Sequence, residues 1–209
     1  SNQELVELFG RLHSIAPQNN KILYNYTSLL LKTWNTENFD LKRKEIASCI
    51  SRLKALKLSP SLLIRIQLNY YIILCDFLNT KHKYRQKNGV LKQIYNLYSL
   101  ADLTDQELLS ITKFLSLYSK FSWSREILHH RAYEPDADPK LIEYYIRLSI
   151  STWYDDNNFT DLLKTFSRNH QKMFCHLFDA TSQGGYTFQL LEHDVLKKMY
   201  CLSCHSNAQ

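Results

Sequence analysis

The chain has 209 residues, 44% hydrophobic and 22% charged, with 26 Lys and Arg against 20 Asp and Glu for a net charge of +6. That length suits one sizeable domain or a short array of repeats, and the composition is that of an ordinary soluble globular protein. With four glycines and four prolines, phosphate-cradling glycine loops are excluded and a turn-rich sheet is disfavoured, so helices joined by short polar loops are expected.

No stretch approaches the roughly 18 consecutive apolar residues of a membrane span. The densest run, Tyr70 to Cys75, is bounded by Asn69 and Asp76, so no membrane association is expected. The opening Ser-Asn without a methionine reads as the scar of a cleaved tag, and the chain is expected to be a fragment of a longer protein. The odd count of five cysteines does not suggest a disulfide framework, and a reducing cytoplasm is expected. Cys49 and Cys75 fall on apolar helix faces, where a thiol acts as a small hydrophobe.

Apolar residues recur at helical spacing along most of the chain. A first short helix ends near Pro17. A second runs to Trp34, with Ile22, Tyr26, Leu29 and Leu30 on one face. A third spans about residues 39–58, with Ile46, Cys49, Ile50 and Leu53 as its inner stripe. Ser59 is expected to cap the fourth helix, about 60–79, because its hydroxyl can satisfy a free N–H, and Pro60 fits the first helical position. That helix is apolar almost all round and should be covered on most sides. A basic loop, Lys81 to Gly89, then leads into a helix from about Val90 to Tyr98.

The segment 104–137 is the most informative. Thr104 and Glu107 form a capping box, followed by a helix, a turn near Lys120–Ser122 and a second helix that ends before Pro135. Leu108, Thr112 and Leu115, then Ser124 and Leu128, match the spacing of a tetratricopeptide repeat, and small residues fall where helices in that family approach closely. This segment resembles a degenerate tetratricopeptide repeat, with Thr112 and Ser124 in place of the family's usual Gly and Ala. An internal echo links residues 32–42 to 151–164: Thr-Trp closes one helix and Asn-Phe opens the next. Candidate first helices begin near 18, 60, 104 and 138. The expected fold is therefore all-α: a right-handed α-α superhelix of antiparallel hairpins over 1–168, closed by a Cys/His-containing cap at 169–209. An irregular α-helical bundle is the alternative.

The tail ends in Cys-Leu-Ser-Cys-His at 201–205. The string matches a haem-attachment motif, yet only four residues follow His205, which leaves little chain to build a haem pocket. Free thiols are the favoured reading. A structural zinc held by Cys175, Cys201, Cys204 and His205, with His170, His176 and His193 as further donors, is the other, since two thiolates two residues apart can grip one tetrahedral ion. No other cofactor is expected.

The basic segment Lys81, Lys83, Tyr84, Arg85 and Lys87 could meet phosphates and stack on a base, although a solvated loop has the same composition. His129 and His130 point about 100° apart on a helix and are expected to straddle a packing edge, and one of Tyr144 and Tyr145 must face outward. Asp155 and Asp156 are expected to cap the following helix. No nucleophile–base pair or nucleotide motif is present, so a non-enzyme is expected. The resemblance to tetratricopeptide arrays implies a scaffold that binds a partner protein, a peptide or another domain of its own chain in a groove lined by first helices. Tyr26, Lys32, Arg65, Asn69, Lys113 and Arg147 are the candidate groove residues. Nucleic-acid binding at 81–87 is the alternative function.

Overall fold

A computed structural model describes residues 1–35, 37–98, 103–152 and 158–182. All secondary structure among these residues is helical, and the chain divides into two compact units between Leu103 and Thr104.

The first unit contains α1 (Asn2–Ile15), α2 (Asn20–Lys32), α3 (Phe39–Ala55), α4 (Pro60–Thr80) and α5 (Tyr84–Tyr98). Each helix packs on the next, and α2 also meets α4. Side chains fix the first two starts. Ser1 and Glu4 form a capping box on α1, and the Asn19 Oδ1 accepts from the N–H groups of Lys21 and Ile22, both at 3.1 Å. Ser59 stands before α4, but its hydroxyl makes no capping bond; Pro60 at the first helical position removes one of the free N–H groups. The start of α5 corrects the sequence reading: Tyr84 to Lys87 are helical, not part of a loop. The turn is confined to Lys81–Lys83, because the N–H of Lys83 donates to the Leu78 carbonyl at 2.9 Å and closes α4 within one turn.

Three helix stops explain how so few glycines serve so many helices. Lys57, His82 and Ser119 adopt left-handed backbone, with φ of 53°, 56° and 59°. In each case the next residue's N–H reaches back to a carbonyl five residues earlier, as from Leu58 to Leu53 at 3.2 Å. This is the Schellman closure that glycine usually supplies.

The core of the first unit lies between α2, α3 and α4. Leu23, Ile46 and Leu53 are fully buried, with Leu30 and Ile66 nearly so. Trp34 stacks on Phe39 and Tyr70 with centroids 4.9 and 5.5 Å away, and its indole N–H donates to the Phe39 carbonyl at 3.2 Å. Both the apolar and the polar side of that ring are therefore satisfied. By length and composition alone α4 is long and apolar enough to cross a membrane, with mean hydropathy 1.3 over its best window. Arg65, Asn69 and Asp76 interrupt its apolar runs, so a search for an unbroken stretch passes over it. In this structure it packs on α2, α3 and α5 and buries Ile64, Ile66, Leu68, Leu74, Cys75 and Leu78.

The second unit contains α6 (Asp105–Leu117), α7 (Phe121–Ala132), α8 (Pro139–Ser151), α9 (Phe159–Asn169) and α10 (Gln171–Ser182). Successive helices pack together, and α6 meets α8 as α8 meets α10. The boundary drawn at 168 falls within this unit, since α9 continues to Asn169 and α10 packs on α8 and α9. The cap expected beyond it lies, from residue 183, outside the described residues.

The capping box of Thr104 and Glu107 is present. Thr112 and Ser124 are fully buried where α6 crosses α7. The Ser124 hydroxyl donates to the Thr112 carbonyl at 2.8 Å and accepts from the Ser116 hydroxyl at 3.0 Å. Only a small side chain allows that approach. Asn38-Phe39 and Asn158-Phe159 both open helices with the phenylalanine buried, as the internal echo predicts. Asp155 and Asp156 lie outside the described residues.

Candidate functional site: the open face of α6 and α8

On α6, Leu108, Ile111, Thr112 and Leu115 point into the second unit and are buried. The residues between them, Ser110, Lys113, Phe114 and Leu117, recur at three- and four-residue intervals and form the opposite stripe. With Ser116 and with Tyr144 of α8 they line a shallow, mainly apolar groove of about 660 Å³. Leu117 is 80% exposed there.

The groove is framed by aromatics and cations. The Lys113 ammonium lies 5.8 Å from the centroid of the Tyr144 ring, a distance at which the negative face of the ring attracts it. Phe114 meets Tyr118 edge-on at 5.2 Å. One turn beyond Tyr144, Arg147 is half-buried and donates to Glu143 at 2.9 Å. Tyr145, the neighbour of Tyr144, is fully buried and bonds the half-buried His129 at 2.8 Å, while His130 is exposed. The tyrosine pair and the histidine pair thus divide between core and surface as their helical spacing requires.

At the start of α6, a charged knot ties α6, α7 and α8 together. Arg131 of α7 donates to Asp105 through Nε at 2.6 Å and Nη2 at 3.1 Å, and also bonds Glu134 and Asp136. Asp105 accepts in addition from the backbone N–H of Asp138, which caps α8, at 2.7 Å. Hydrogen bonds from Arg131, more than any other cause, hold the Asp105 carboxyl below the usual carboxylate range. A second, smaller cavity of about 330 Å³ lies between the end of α7 and α9. Its carboxylates are already engaged, Glu134 by Arg131 and Asp161 by Lys164.

Of the six groove candidates, Lys113 lines this groove and Arg147 stands one turn along α8 from Tyr144. The other four belong to the first unit, and there the facing differs from expectation for Tyr26. Its ring is turned toward α1, near Gly10 and stacked 6.0 Å from His13, and its hydroxyl donates a short bond to Glu45. Burial, then that bond and the Glu45 charge, raise its pKa well above the ordinary phenol value. Lys32 and Asn69 are exposed, and Arg65 donates to Ser61 at 2.7 Å.

The basic segment is partly engaged with itself. Lys87 donates to Asn79 at 3.0 Å and lies 5.0 Å from the Tyr84 ring, Tyr84 meets His82 at 2.8 Å, and Lys81 lies over Phe77. Lys83 and Arg85 are exposed. Of the zinc candidates, Cys201, Cys204 and His205, with His193, lie outside the described residues. Cys175 lies in α10 and is half-buried. His170 ends α9 against Phe166, and His176 is exposed. Among the described residues no three His, Cys, Asp or Glu side chains gather as a metal site would need.

Sequence reasoning missed Ser110, Phe114, Ser116 and Leu117. The signal was there: Phe114 and Leu117 put apolar residues on the side of α6 opposite Leu108, Ile111 and Leu115. Compared with known proteins, the chain matches no family model, no curated protein and no solved structure.

Proposed function

We propose that the chain is a non-enzymatic protein-interaction module of tetratricopeptide-like helical hairpins, and that the open face of α6 and α8 seats an apolar segment of a partner protein. The observation that carries this reading is the groove itself, with Leu117 80% exposed between Phe114 and Tyr144. Exposed apolar residues that gather in a groove with aromatic and cationic margins suit peptide recognition better than scattered ones do. The pairing of α6 with α8 and of α2 with α4 supports the repeat reading, since alternate helices of a hairpin array lie side by side. Unequal helix lengths, from 11 residues in α9 to 21 in α4, suit an irregular array.

The test is site-specific photo-crosslinking. A photoreactive phenylalanine at Leu117 or Phe114 is expected to yield a discrete adduct in the chain's native host. One at the exposed Glu126 of α7 should not. Leu117→Asp should abolish adduct formation at Phe114 while leaving the melting curve unchanged. Adducts that are identical from Leu117 and Glu126 would refute the assignment of the groove. Binding of single-stranded nucleic acid that falls on changing Lys83 and Arg85 to Glu would instead favour the basic segment as the functional surface.

A further inference from the structure

The first helix leaves one face uncovered. Leu5, Leu8, Leu12 and Ile15 are 43%, 51%, 36% and 80% exposed, and their spacing of three, four and three places them on one side of α1. The other side is occupied: Val6 is buried, Gly10 lies close to Tyr26, and His13 stacks on the same ring. One margin of the apolar stripe carries Glu4, Glu7 and Arg11, all exposed. Glu4 is taken by its capping box. Neither Glu7 nor Arg11 makes an ion pair among the described residues.

The order of these residues matters. Leu5 and Ile15 are equally far from position 10, as are Leu8 and Leu12. The acidic residue of the free pair comes before that midpoint and the basic one after it. A helix with this pattern complements itself when reversed. A two-fold axis near Gly10 would set Leu5 against Ile15 of a second copy and Leu8 against Leu12. It would also bring Glu7 to within about two residues, ~3 Å along the axis, of Arg11 of that copy, and because this pair occurs twice it outweighs the single Arg11–Arg11 approach at the same offset. A parallel two-fold pair would put the two charged margins on opposite sides and gain no such contact. Antiparallel pairing further aligns each helix dipole with the opposite end of its neighbour.

From this self-complementarity we infer that α1 is a homotypic contact: two copies of the chain associate through antiparallel α1 helices, with an isologous interface. The contact is weak and concentration-dependent. A helix of 14 residues is about 21 Å long and covers far less than the ~800 Å² per partner of a stable interface.

Sedimentation equilibrium of the 209-residue chain from micromolar to near-millimolar concentration tests this. A monomer–dimer equilibrium is expected. Leu8→Lys should abolish it, and because the side chain is exposed the helix content and melting curve should not change. Glu7→Arg and Arg11→Glu should each weaken the dimer by about tenfold, since symmetry counts each reversal twice. The double reversal, which restores the complementary order, should recover wild-type affinity. A chain that stays monomeric throughout overturns the inference. So does a dimer indifferent to Leu8→Lys, or one that the double reversal leaves as weak as the single changes. None of these results bears on the α6–α8 groove, which is assayed separately by its crosslinks.

Discussion

Replacing Ser124 tests the crossing of α6 and α7, on which the second unit depends. Its side chain has no exposure and joins a short relay, from the Ser116 hydroxyl through its own to the Thr112 carbonyl. Ser124→Ala removes the relay and leaves space. The loss is about 1 kcal/mol for the hydrogen bond, partly offset by a gain of up to ~0.5 kcal/mol in helix propensity. Ser124→Leu loses the same bond and forces a larger group into the narrowest part of the hairpin, which adds about 1–3 kcal/mol of overpacking. The expected totals are ~0.5–1 kcal/mol for Ala and ~2–4 kcal/mol for Leu. Urea unfolding with an unchanged m-value measures both. If Leu costs within ~0.5 kcal/mol of Ala, the helices do not approach closely there and the hairpin reading fails.

Asp105→Asn should destabilise the second unit by about 2 kcal/mol, because it weakens charge-assisted bonds to Arg131 while Glu134 and Asp136 still hold the guanidinium. The folded-state pKa of Asp105 is lowered, so its contribution is complete above the ordinary value of 3.8 and is lost as pH falls below it; acid titration of wild type and variant should converge there. His13 works in the opposite range: burial, then the Arg52 charge, lower its pKa from 6.5, and its Nε2 contacts Arg52 Nη1 at 2.7 Å. The neutral ring is therefore favoured on folding, stability is complete above pH 6.5 and declines as pH falls below it, and His13→Gln should remove that slope in urea titrations. Ser149→Ala should raise stability by about 0.5–1 kcal/mol, because the Ser149 hydroxyl is buried without a hydrogen-bond partner among the described residues. Ser119→Gly relieves a left-handed φ of 59° and should be neutral to stabilising by up to ~1 kcal/mol, read from the same unfolding curves.

Local rules legible in the sequence located most of the helices. Thr104 with Glu107, and Pro60, act through bonds and clashes within a few residues of themselves, and Thr112 and Ser124 meet across a single hairpin, so their meaning does not depend on distant chain. The start of α5 was misplaced because cations at Lys83, Arg85 and Lys87 oppose the helix dipole. The backward bond from Lys83 to Leu78 nonetheless turns the chain in a single step, and nothing in the composition of that segment announces it.

Which outward face is covered and which stays open is decided only in three dimensions. Tyr26 and Lys113 have equal claims as groove residues when read along their helices. Packing turns Tyr26 toward α1 and Glu45, whereas α8 brings Tyr144 against Lys113 and leaves Leu117 beside them in water. Helical periodicity states which residues share a side of one helix. The neighbour that covers that side, or leaves it open, comes from residues far away in the chain, and apolar periodicity carries no address for it.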